Sequence, residues 1–308
     1  MAKQTVLLTG LAGTLGQQAA RYLHRHFNVV GVDRRPMATR AKDIVHAKVD
    51  IRRKALENVF RKYRPTSVIH LGVMHNPRQS VEDHHTFNVV GTMRLLEHCV
   101  KYGVKKVVVL SSANVYGPRV DTSGFISEDH PLLGAQTFPE LRDLVAVDML
   151  VQGFFWRHPD IETVILRPVH ILGRVRNAPS NYLRLNPVPK LMGFDPMMQP
   201  IHEEDVVKAL GLALKSGVRG IFNLSGPGQL PLSMAITEVG SKVLSLPEPI
   251  ARIVMRRLWN WRLTNFPPPE LDHIKFPCLV DGTRAVKEMG YAPSRNLKDT
   301  LRGVWNAT

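Results

Sequence analysis

The chain has 308 residues and an ordinary globular composition, 44% hydrophobic and 22% charged, which suits one large α/β domain or a nucleotide-binding domain with a smaller appendage. Near-average glycine and proline usage excludes collagen-like and low-complexity chains. Cys99 and Cys278 are too few for a disulfide framework or a zinc cluster, so we expect a reducing compartment and no metal. The formal net charge of +15 favours phosphates, nucleic acid or an anionic membrane as partners, without selecting among them.

The N-terminal residues run directly into an apolar strand and carry no secretory signal. No uncharged run approaches the roughly 18 apolar residues of a membrane span. We therefore expect a cytoplasmic protein, with peripheral association to a membrane left open.

Short β-branched runs alternate with longer segments of helical period in the first half of the chain. This alternation predicts a parallel sheet wound with right-handed crossovers. The predicted strands are 5–9, 29–33, 44–50, 67–71 and 106–111, and the predicted helices between them are 14–27, 52–63 and 81–102.

After Ser112 the pattern loosens. A proline-rich stretch at 168–200 is typical of irregular segments that line a substrate cleft. The other predicted elements are a long connection at 116–137, a helix from about Pro139, a strand at 162–167, a helix at 203–215, a strand at 220–224, helical segments at 232–246 and 249–263, and a last helix after Leu297.

A glycine-rich turn, TGLAGTLG at 9–16, joins the first strand to the first helix. Gly10, Gly13 and Gly16 suit a turn whose backbone approaches a pyrophosphate at a helix N-terminus. Asp33 ends the second predicted strand, where a carboxylate can accept hydrogen bonds from ribose hydroxyls. Asp33 favours NAD because it repels a 2′-phosphate, but Arg34 and Arg35 could accept that phosphate, so NADP stays open.

Several further segments carry a resemblance that covers residues 5 to about 302. They are VIHLG at 68–72, NVVGTMRLLE at 88–97, SSANVYG at 111–117, Arg167-Pro168 followed by Gly173, and IHEEDV at 201–206. Together with the glycine turn, they resemble the extended short-chain dehydrogenase/reductase superfamily, the group of NAD-dependent sugar epimerases and dehydratases. The resemblance implies fold and cofactor better than it implies a reaction.

We therefore predict an α/β fold, a doubly wound Rossmann parallel sheet with a smaller C-terminal α/β substrate portion. The dinucleotide-binding domain is expected to span 1–168 and to receive 201–226, and 169–200 with 227–308 form the small portion. The residues assigned to the dinucleotide are Gly10, Ala12, Gly13, Thr14, Leu15, Gly16, Asp33, Arg34, Asp50, Ile51, Leu71, Gly72, Val73, Asn88, Ser111, Leu144 and Pro168.

The family's proton relay, a tyrosine followed four residues later by a lysine, does not appear on the helix where the resemblance places it. When Asp148 is set on the family's acidic residue, Glu140 stands where the tyrosine is expected and Leu144 where the lysine is expected. Residues 117–181 contain no tyrosine, and 107–189 contain no lysine. Leucine can neither bind ribose hydroxyls nor lower a neighbour's pKa.

Three residues stay as catalytic candidates. Ser112 matches the family's Ser/Thr, Glu140 could act as a base if burial raised its pKa, and Tyr116 could lie near the nicotinamide. Glu140 also suits an ordinary helix first turn, and Tyr116 an ordinary VYG segment. Met198-Gln199-Pro200 lacks the arginine that clamps a diphosphate in sugar-nucleotide epimerases, which disfavours a nucleotide-sugar substrate.

The segment 249–263, PIARIVMRRLWNWRL, predicts a basic amphipathic helix. Its four arginines, two tryptophans and lack of acids resemble an interfacial helix on anionic lipid. The alternative, which the pattern favours, is a helix that packs its apolar face on the core. That apolar face comprises Ile250, Ile253, Val254, Leu258 and Trp261.

Three hypotheses of function follow. The first is an NAD-binding member of the superfamily without the dyad, acting as a redox-inactive or atypical scaffold or sensor for an unknown small molecule. The second is an active oxidoreductase or epimerase that uses displaced residues on a lipid-like or other non-nucleotide substrate. The third, a nucleic-acid-binding derivative, rests on charge alone and lacks an RNA-binding signature. The resemblance also implies a homodimer.

Overall fold

The structure is a computed structural model that describes residues 3–37, 41–73, 79–117, 124–137, 141–264, 266, 271 and 275–305. The strands are β1 Thr5–Thr9, β2 Asn28–Val32, β3 Val45–Ala47, β4 Ser67–His70, β5 Lys106–Leu110, β6 Glu162–Pro168, β7 His170–Leu172, β8 Val188–Leu191, β9 Met197–Met198, β10 Pro200–His202, β11 Gly220–Leu224, β12 Leu230–Pro231 and β13 Val243–Leu246. The α-helices are α1 Thr14–Leu23, α2 Ala55–Tyr63, α3 Val81–His85, α4 Gly91–Lys101, α5 Gly134–Thr137, α6 Arg142–Arg157, α7 Ala178–Leu183, α8 Glu203–Ala213, α9 Leu232–Glu238, α10 Glu248–Asn260 and α11 Leu297–Arg302.

Seven of these strands form one sheet, in the order β11–β6–β5–β4–β1–β2–β3. Each neighbouring pair in this sheet is parallel. The strand order changes direction between β1 and β4, and ligands of open α/β sheets bind at such a switch point, outside the carboxyl ends of the strands. The doubly wound Rossmann fold predicted from the sequence is confirmed.

Helices cover both faces of the sheet, as the alternating pattern requires. Along β1, Val6 and Leu8 pack in one buried cluster with residues of α1 and α8, whereas Leu7 packs in a second with α2, α4 and α6. A third cluster, which includes Tyr182, Ile236 and Met255, lies in the smaller portion. The segment 201–226 supplies α8 and β11 to the large layer, but the exact division into two domains stays a prediction.

Two predicted helical segments differ from the structure. The helix expected at 81–102 contains a π-helical turn, Thr86–Val90, between α3 and α4. The helical interpretation of 232–246 was wrong in its second half, where β13 pairs in parallel with β8. Gly240, at φ +87°, takes the left-handed conformation that follows many helix ends, so α9 stops before the apolar run of β13 begins.

A buried chain of hydrogen bonds joins the ends of β1 and β4 at the switch point. Thr92 Oγ1 donates to the Asn88 carbonyl, so its oxygen accepts from His70 Nε2 at 2.9 Å. His70 Nδ1 then accepts from Thr9 Oγ1 at 2.6 Å, and the Thr9 oxygen accepts from the Gly72 amide at 3.2 Å. His70 therefore donates through Nε2 and accepts through Nδ1, which makes it a neutral imidazole with its proton on Nε2.

The hydrogen bonds of His70 predict that the free energy of unfolding depends on pH. Burial lowers the pKa of His70 from 6.5 to about 4. Because the unfolded chain binds the proton more readily, the contribution of His70 is complete above pH 6.5 and is lost as the pH falls towards 4. We expect about 3 kcal/mol of unfolding free energy to disappear over that window.

Urea unfolding of the wild type and of His70→Gln across this pH range measures the effect. The variant should be less stable at neutral pH but should show a flatter pH profile. His130→Gln, which removes an exposed histidine, is the control and should leave the wild-type profile unchanged. Parallel profiles for wild type and His70→Gln would contradict the assignment.

Candidate functional site

A cleft of about 670 Å³ opens at the carboxyl ends of the parallel strands. Its walls come from the segments that follow β1, β2, β4, β5 and β6, so the fold itself brings distant parts of the sequence together. The predicted dinucleotide residues that line it are Gly10, Gly13, Asp33, Arg34, Ile51, Leu71, Gly72, Val73, Ser111, Leu144 and Pro168.

The glycine turn forms a cradle that side chains would fill. Gly10 has φ +77°, and a Cβ there would lie 3.0 Å from the Leu71 carbonyl carbon. A Cβ on Gly16 would lie 2.1 Å from the Gly10 carbonyl oxygen. Gly13 caps α1 without a side-chain hydrogen bond, which leaves the first-turn amides free to face an anion. These residues fit the pyrophosphate of a dinucleotide.

Asp33 lies at the end of β2 with its carboxylate held in place. Its Oδ2 accepts from the Ala12 amide at 3.0 Å, so Ala12 acts on the site by orienting Asp33. Its Oδ1 accepts from the backbone amide of Arg35 at 2.9 Å and from Arg35 Nε at 3.2 Å. The Arg34 guanidinium carbon lies 5.3 Å from the Phe87 ring centre, which anchors a second cation at the cleft wall.

Five other predicted dinucleotide residues are not among those that line the cleft. Thr14, Leu15 and Gly16 form the first turn of α1. Asp50 Oδ2 is 2.8 Å from Arg52 Nη2; burial raises the pKa of Asp50, but hydrogen bonds from Arg52 outweigh it and hold that pKa below its usual range. Asn88 is buried, and its carbonyl accepts the hydrogen bond from Thr92 Oγ1 that belongs to the hydrogen-bond chain through His70.

The cleft wall at the predicted catalytic position is apolar. Leu144, which the sequence resemblance sets in the family's lysine position, lines the cleft together with Leu141 and is buried. Ser112 also lines the cleft, and its Oγ accepts from the Asn114 amide at 3.1 Å. Glu140 lies outside the described residues. Within the described lining there is neither a tyrosine nor a lysine.

Tyr116 is placed in the protein interior and is not among the residues that line the cleft. Its hydroxyl donates to Asn223 Oδ1 at 2.8 Å and accepts from Arg167 Nη1 at 2.8 Å. Burial raises the pKa of Tyr116 to about 12. The hydroxyl is thus held in both hydrogen-bonding directions inside the protein, and a catalytic role for Tyr116 stays a prediction.

Arg167 and Asp148 form a buried ion pair that ties α6 to β6. Arg167 Nη2 donates to Asp148 Oδ1 at 2.7 Å, and Arg167 Nε donates to Asp148 Oδ2 at 3.0 Å. Ser111 Oγ donates to the same Oδ2 at 2.5 Å, and Gln152 Nε2 to Oδ1 at 2.8 Å. The hydroxyl of Ser111, predicted as a cofactor residue, is therefore used inside the protein.

An inner pocket of about 50 Å³ adjoins the cleft and shares Asn114, His170 and Pro179 with it. The Tyr182 hydroxyl donates to the Pro189 carbonyl at 2.6 Å, and the Cys278 thiol points to the Ala113 carbonyl at 3.5 Å. Burial raises the pKa of the Cys278 thiol to about 12, so it is not a nucleophile. The remaining wall is apolar and includes Pro196, Met197, Met198, Leu232, Phe266 and Phe276.

His170 and Trp259 are among the cleft residues that the sequence did not predict. His170 could have been found, because it follows the Arg167-Pro168 motif at the carboxyl end of a predicted strand. Trp259 could not, because it belongs to α10 and reaches the cleft only through tertiary packing. Among the described residues, no group of three His, Cys, Asp or Glu side chains could hold a metal ion.

The buried ion pair predicts a large effect of Asp148→Asn. The change leaves the Arg167 guanidinium, 1% exposed, without its counter-charge, and we expect a loss of about 3–5 kcal/mol of unfolding free energy. Asp143→Asn on the same helix is the matched control, because Asp143 pairs with the exposed His85; it should cost less than about 1 kcal/mol. Urea titrations with equal losses for both variants would contradict this ranking.

The cradle predicts opposite effects for two helical glycines. Gly16→Ala forces a Cβ against the Gly10 carbonyl and should both destabilise the fold and distort the turn. In Gly153→Ala the new Cβ meets only the Arg157 side-chain end, at 3.5 Å, so the change should gain about 0.5–1 kcal/mol from helix propensity. Thermal melts of both variants test this, and a stable Gly16→Ala would show that the turn has room to spare.

Comparisons with known proteins place the chain in a family. The family model described as "NAD dependent epimerase/dehydratase family" matches residues 6–225. An uncharacterized protein of Mycobacterium tuberculosis is 30% identical over 310 residues, which cover 94% of this chain and 80% of the relative. The UDP-glucose 4-epimerase of Bacillus subtilis is 25% identical over 343 residues, which cover 97% and 95%.

Solved structures show the same fold. The UDP-glucose 4-epimerase of Thermus thermophilus, in complex with NAD, has a TM-score of 0.76 at 22% identity and covers 99% of this chain and 98% of its own. The Thermotoga maritima enzyme, with UDP-glucose, has a TM-score of 0.75 at 20% identity with the same coverage. As the sequence motifs predicted, this chain belongs to the NAD-dependent epimerase/dehydratase family.

Proposed function

We propose that this chain binds NAD in its cleft and acts as a scaffold or sensor that does not catalyse a redox reaction. The observation that carries the proposal is Leu144, a buried apolar side chain in the cleft wall where the family places its lysine. NAD, when bound, supplies hydride chemistry, but oxidation of a carbinol also needs a group that removes the hydroxyl proton. Of the described lining residues that could take that proton, Ser112 has a neutral hydroxyl and is a weak base, and His170 is the one imidazole.

The cofactor part of the proposal is supported by the cradle and by Asp33. The glycines leave space for phosphates, and the acceptor oxygens of Asp33 suit ribose hydroxyls. The relatives solved with NAD are consistent with this assignment. Because the Asp33 carboxylate repels a 2′-phosphate, NAD should bind more tightly than NADP, although Arg35 beside it reduces the difference.

The binding claim predicts that NAD raises the melting temperature of the wild type. Gly13→Asp should abolish this shift, because it places a carboxylate against the phosphates in the cradle. Gly153→Asp is the matched control, since its Cβ would meet only the end of the Arg157 side chain, at 3.5 Å, and it should keep the shift. A wild-type melt that NAD leaves unmoved would remove the cofactor claim.

The redox claim predicts that protein-bound NADH keeps its absorbance when ketones are added. A panel should include 4-keto nucleotide sugars and apolar ketones, with the same mixtures without protein as blanks. Bleaching that requires the protein, and that Glu140→Gln removes, would overturn the scaffold proposal in favour of an active enzyme.

The second candidate function is an oxidoreductase or epimerase on a lipid-like or other non-nucleotide substrate. The inner pocket favours it, because its lining contains no charged side chain and is mainly apolar. Asn114 and His170 are the polar residues shared with the cleft that could orient a carbonyl or hydroxyl there. Bleaching by apolar ketones but not by nucleotide sugars would identify this function.

The remaining expectations stay predictions. A homodimer is supported by exposed apolar side chains on α4 and α6: Met93, Val100, Met149 and Trp156. Nucleic-acid binding has only the net charge in its favour. Within the described residues, no helix is long and apolar enough to cross a membrane; a cytoplasmic location stays an expectation.

A further inference from the structure

Helix α10 packs only part of its predicted apolar face on the protein: Leu258 is partly buried against the core of the smaller portion, whereas three other predicted residues are exposed. Ala251 and Met255 are its buried residues, one turn apart, so they define the face that packs on the protein. Ile250, Ile253 and Trp261, predicted to pack inward, are 49%, 54% and 66% exposed. Since large apolar side chains are normally covered when a helix serves only as packing, the outer face has an apolar surface without a partner among the described residues.

The same outer face carries arginines. Arg257 lies on it between Ile250 and Ile253, seven residues after the first and four after the second. Arg256 and Arg257 are exposed and form no ion pair with any described residue, whereas Arg252 of the same helix is 2.7 Å from Glu248. We call Ile250, Ile253, Arg256, Arg257 and Trp261 the α10 surface. It combines exposed apolar groups with uncompensated positive charge.

Exposed apolar groups beside unpaired positive charge limit the kinds of partner that can cover the α10 surface. A neutral apolar surface would leave the arginines desolvated without counter-charge, and a purely ionic partner would leave the isoleucines in contact with water. An anionic phospholipid membrane meets both requirements, since its acyl boundary accepts Ile and Trp side chains and its headgroups accept arginine. Exposed Leu263 and Arg262, just beyond the helix end, extend the same chemistry.

We propose that the α10 surface docks peripherally on an anionic phospholipid membrane. Trp259, on the same helix, lines the dinucleotide cleft, so docking would hold the mouth of the cleft near the lipid. The proposal is independent of whether the cleft is redox-active. It adds an interaction surface beside the cleft.

The test is co-sedimentation of the full-length protein with vesicles of phosphatidylcholine alone and of phosphatidylcholine mixed with phosphatidylglycerol. The wild type should bind the mixed vesicles at least about ten-fold more strongly, and added salt should weaken the binding. The variant Arg256→Glu with Arg257→Glu should lose about ten-fold or more of the affinity, and Ile250→Ser with Ile253→Ser should also weaken it.

A matched control separates the α10 surface from the net charge. Arg61→Glu with Lys62→Glu makes the same charge change at the end of α2 and should keep vesicle binding. Equal losses in both charge variants, or equal binding to neutral vesicles, would overturn the proposal. Absence of vesicle binding by the wild type would also overturn it. So would analytical ultracentrifugation that finds a wild-type dimer and a monomeric Ile250/Ile253 variant, since the α10 surface would then serve self-association. Unchanged NAD melting shifts would show that each variant is folded.

Discussion

The site depends on the close contact between the backbone segments that follow β1 and β4. Gly10 lies so close to Leu71 and Gly72 that a single methyl group would crowd them. Just below, the chain of hydrogen bonds from Asn88 through His70 to Gly72 holds the two strand ends in register. A sheet whose strand order reverses there opens a crevice, but only this close approach turns the crevice into a cradle for phosphates.

A second constraint acts on the neighbouring strands β5 and β6. A network of buried hydrogen bonds links the side chains of Ser111, Asp148, Arg167, Tyr116 and Asn223. Each polar atom used in this network is unavailable to a ligand. Such a network stabilises one arrangement of α6 against the sheet, because breaking any member leaves a buried group without its partner. The face of α6 that turns to the cleft is left with Leu141 and Leu144. Among the described residues, the cofactor cleft therefore lies beside an apolar stretch of wall.

Much of this could be predicted from the sequence. Buried parallel strands are short continuous apolar runs, so β1 was predicted at its observed ends and β5 to within one residue. The glycine turn and Asp33 were predicted because their conformations and charges are local requirements of phosphate and ribose binding. Leu144 could be placed in the cleft wall from its spacing to Asp148 on one helix.

Other features depend on tertiary packing, which periodicity does not encode. Helix α10 has two apolar stripes, one with Ala251 and Met255 and one with Ile250 and Ile253, and a sequence cannot show which of them meets the core. Packing beside Val188 of β8 selects the Met255 stripe, where a smaller Ala251 allows close approach. The bond between Asp33 and Arg35 likewise depends on a turn geometry that two adjacent arginines do not reveal.

The position of the positive charge, more than its total of +15, decides which partners suit this molecule. At physiological ionic strength exposed charges act over about 8 Å, so the immediate surroundings of an arginine matter more to a partner than the net charge. Single-stranded nucleic acid is held by basic grooves in which aromatic rings stack on bases. The α10 surface has one aromatic ring, that of Trp261, and its arginines lie beside Ile250 and Ile253, side chains that can neither stack on a base nor donate to a phosphate. A surface of that kind loses contact with water when it enters lipid headgroups, whereas against a polynucleotide its aliphatic half would stay hydrated.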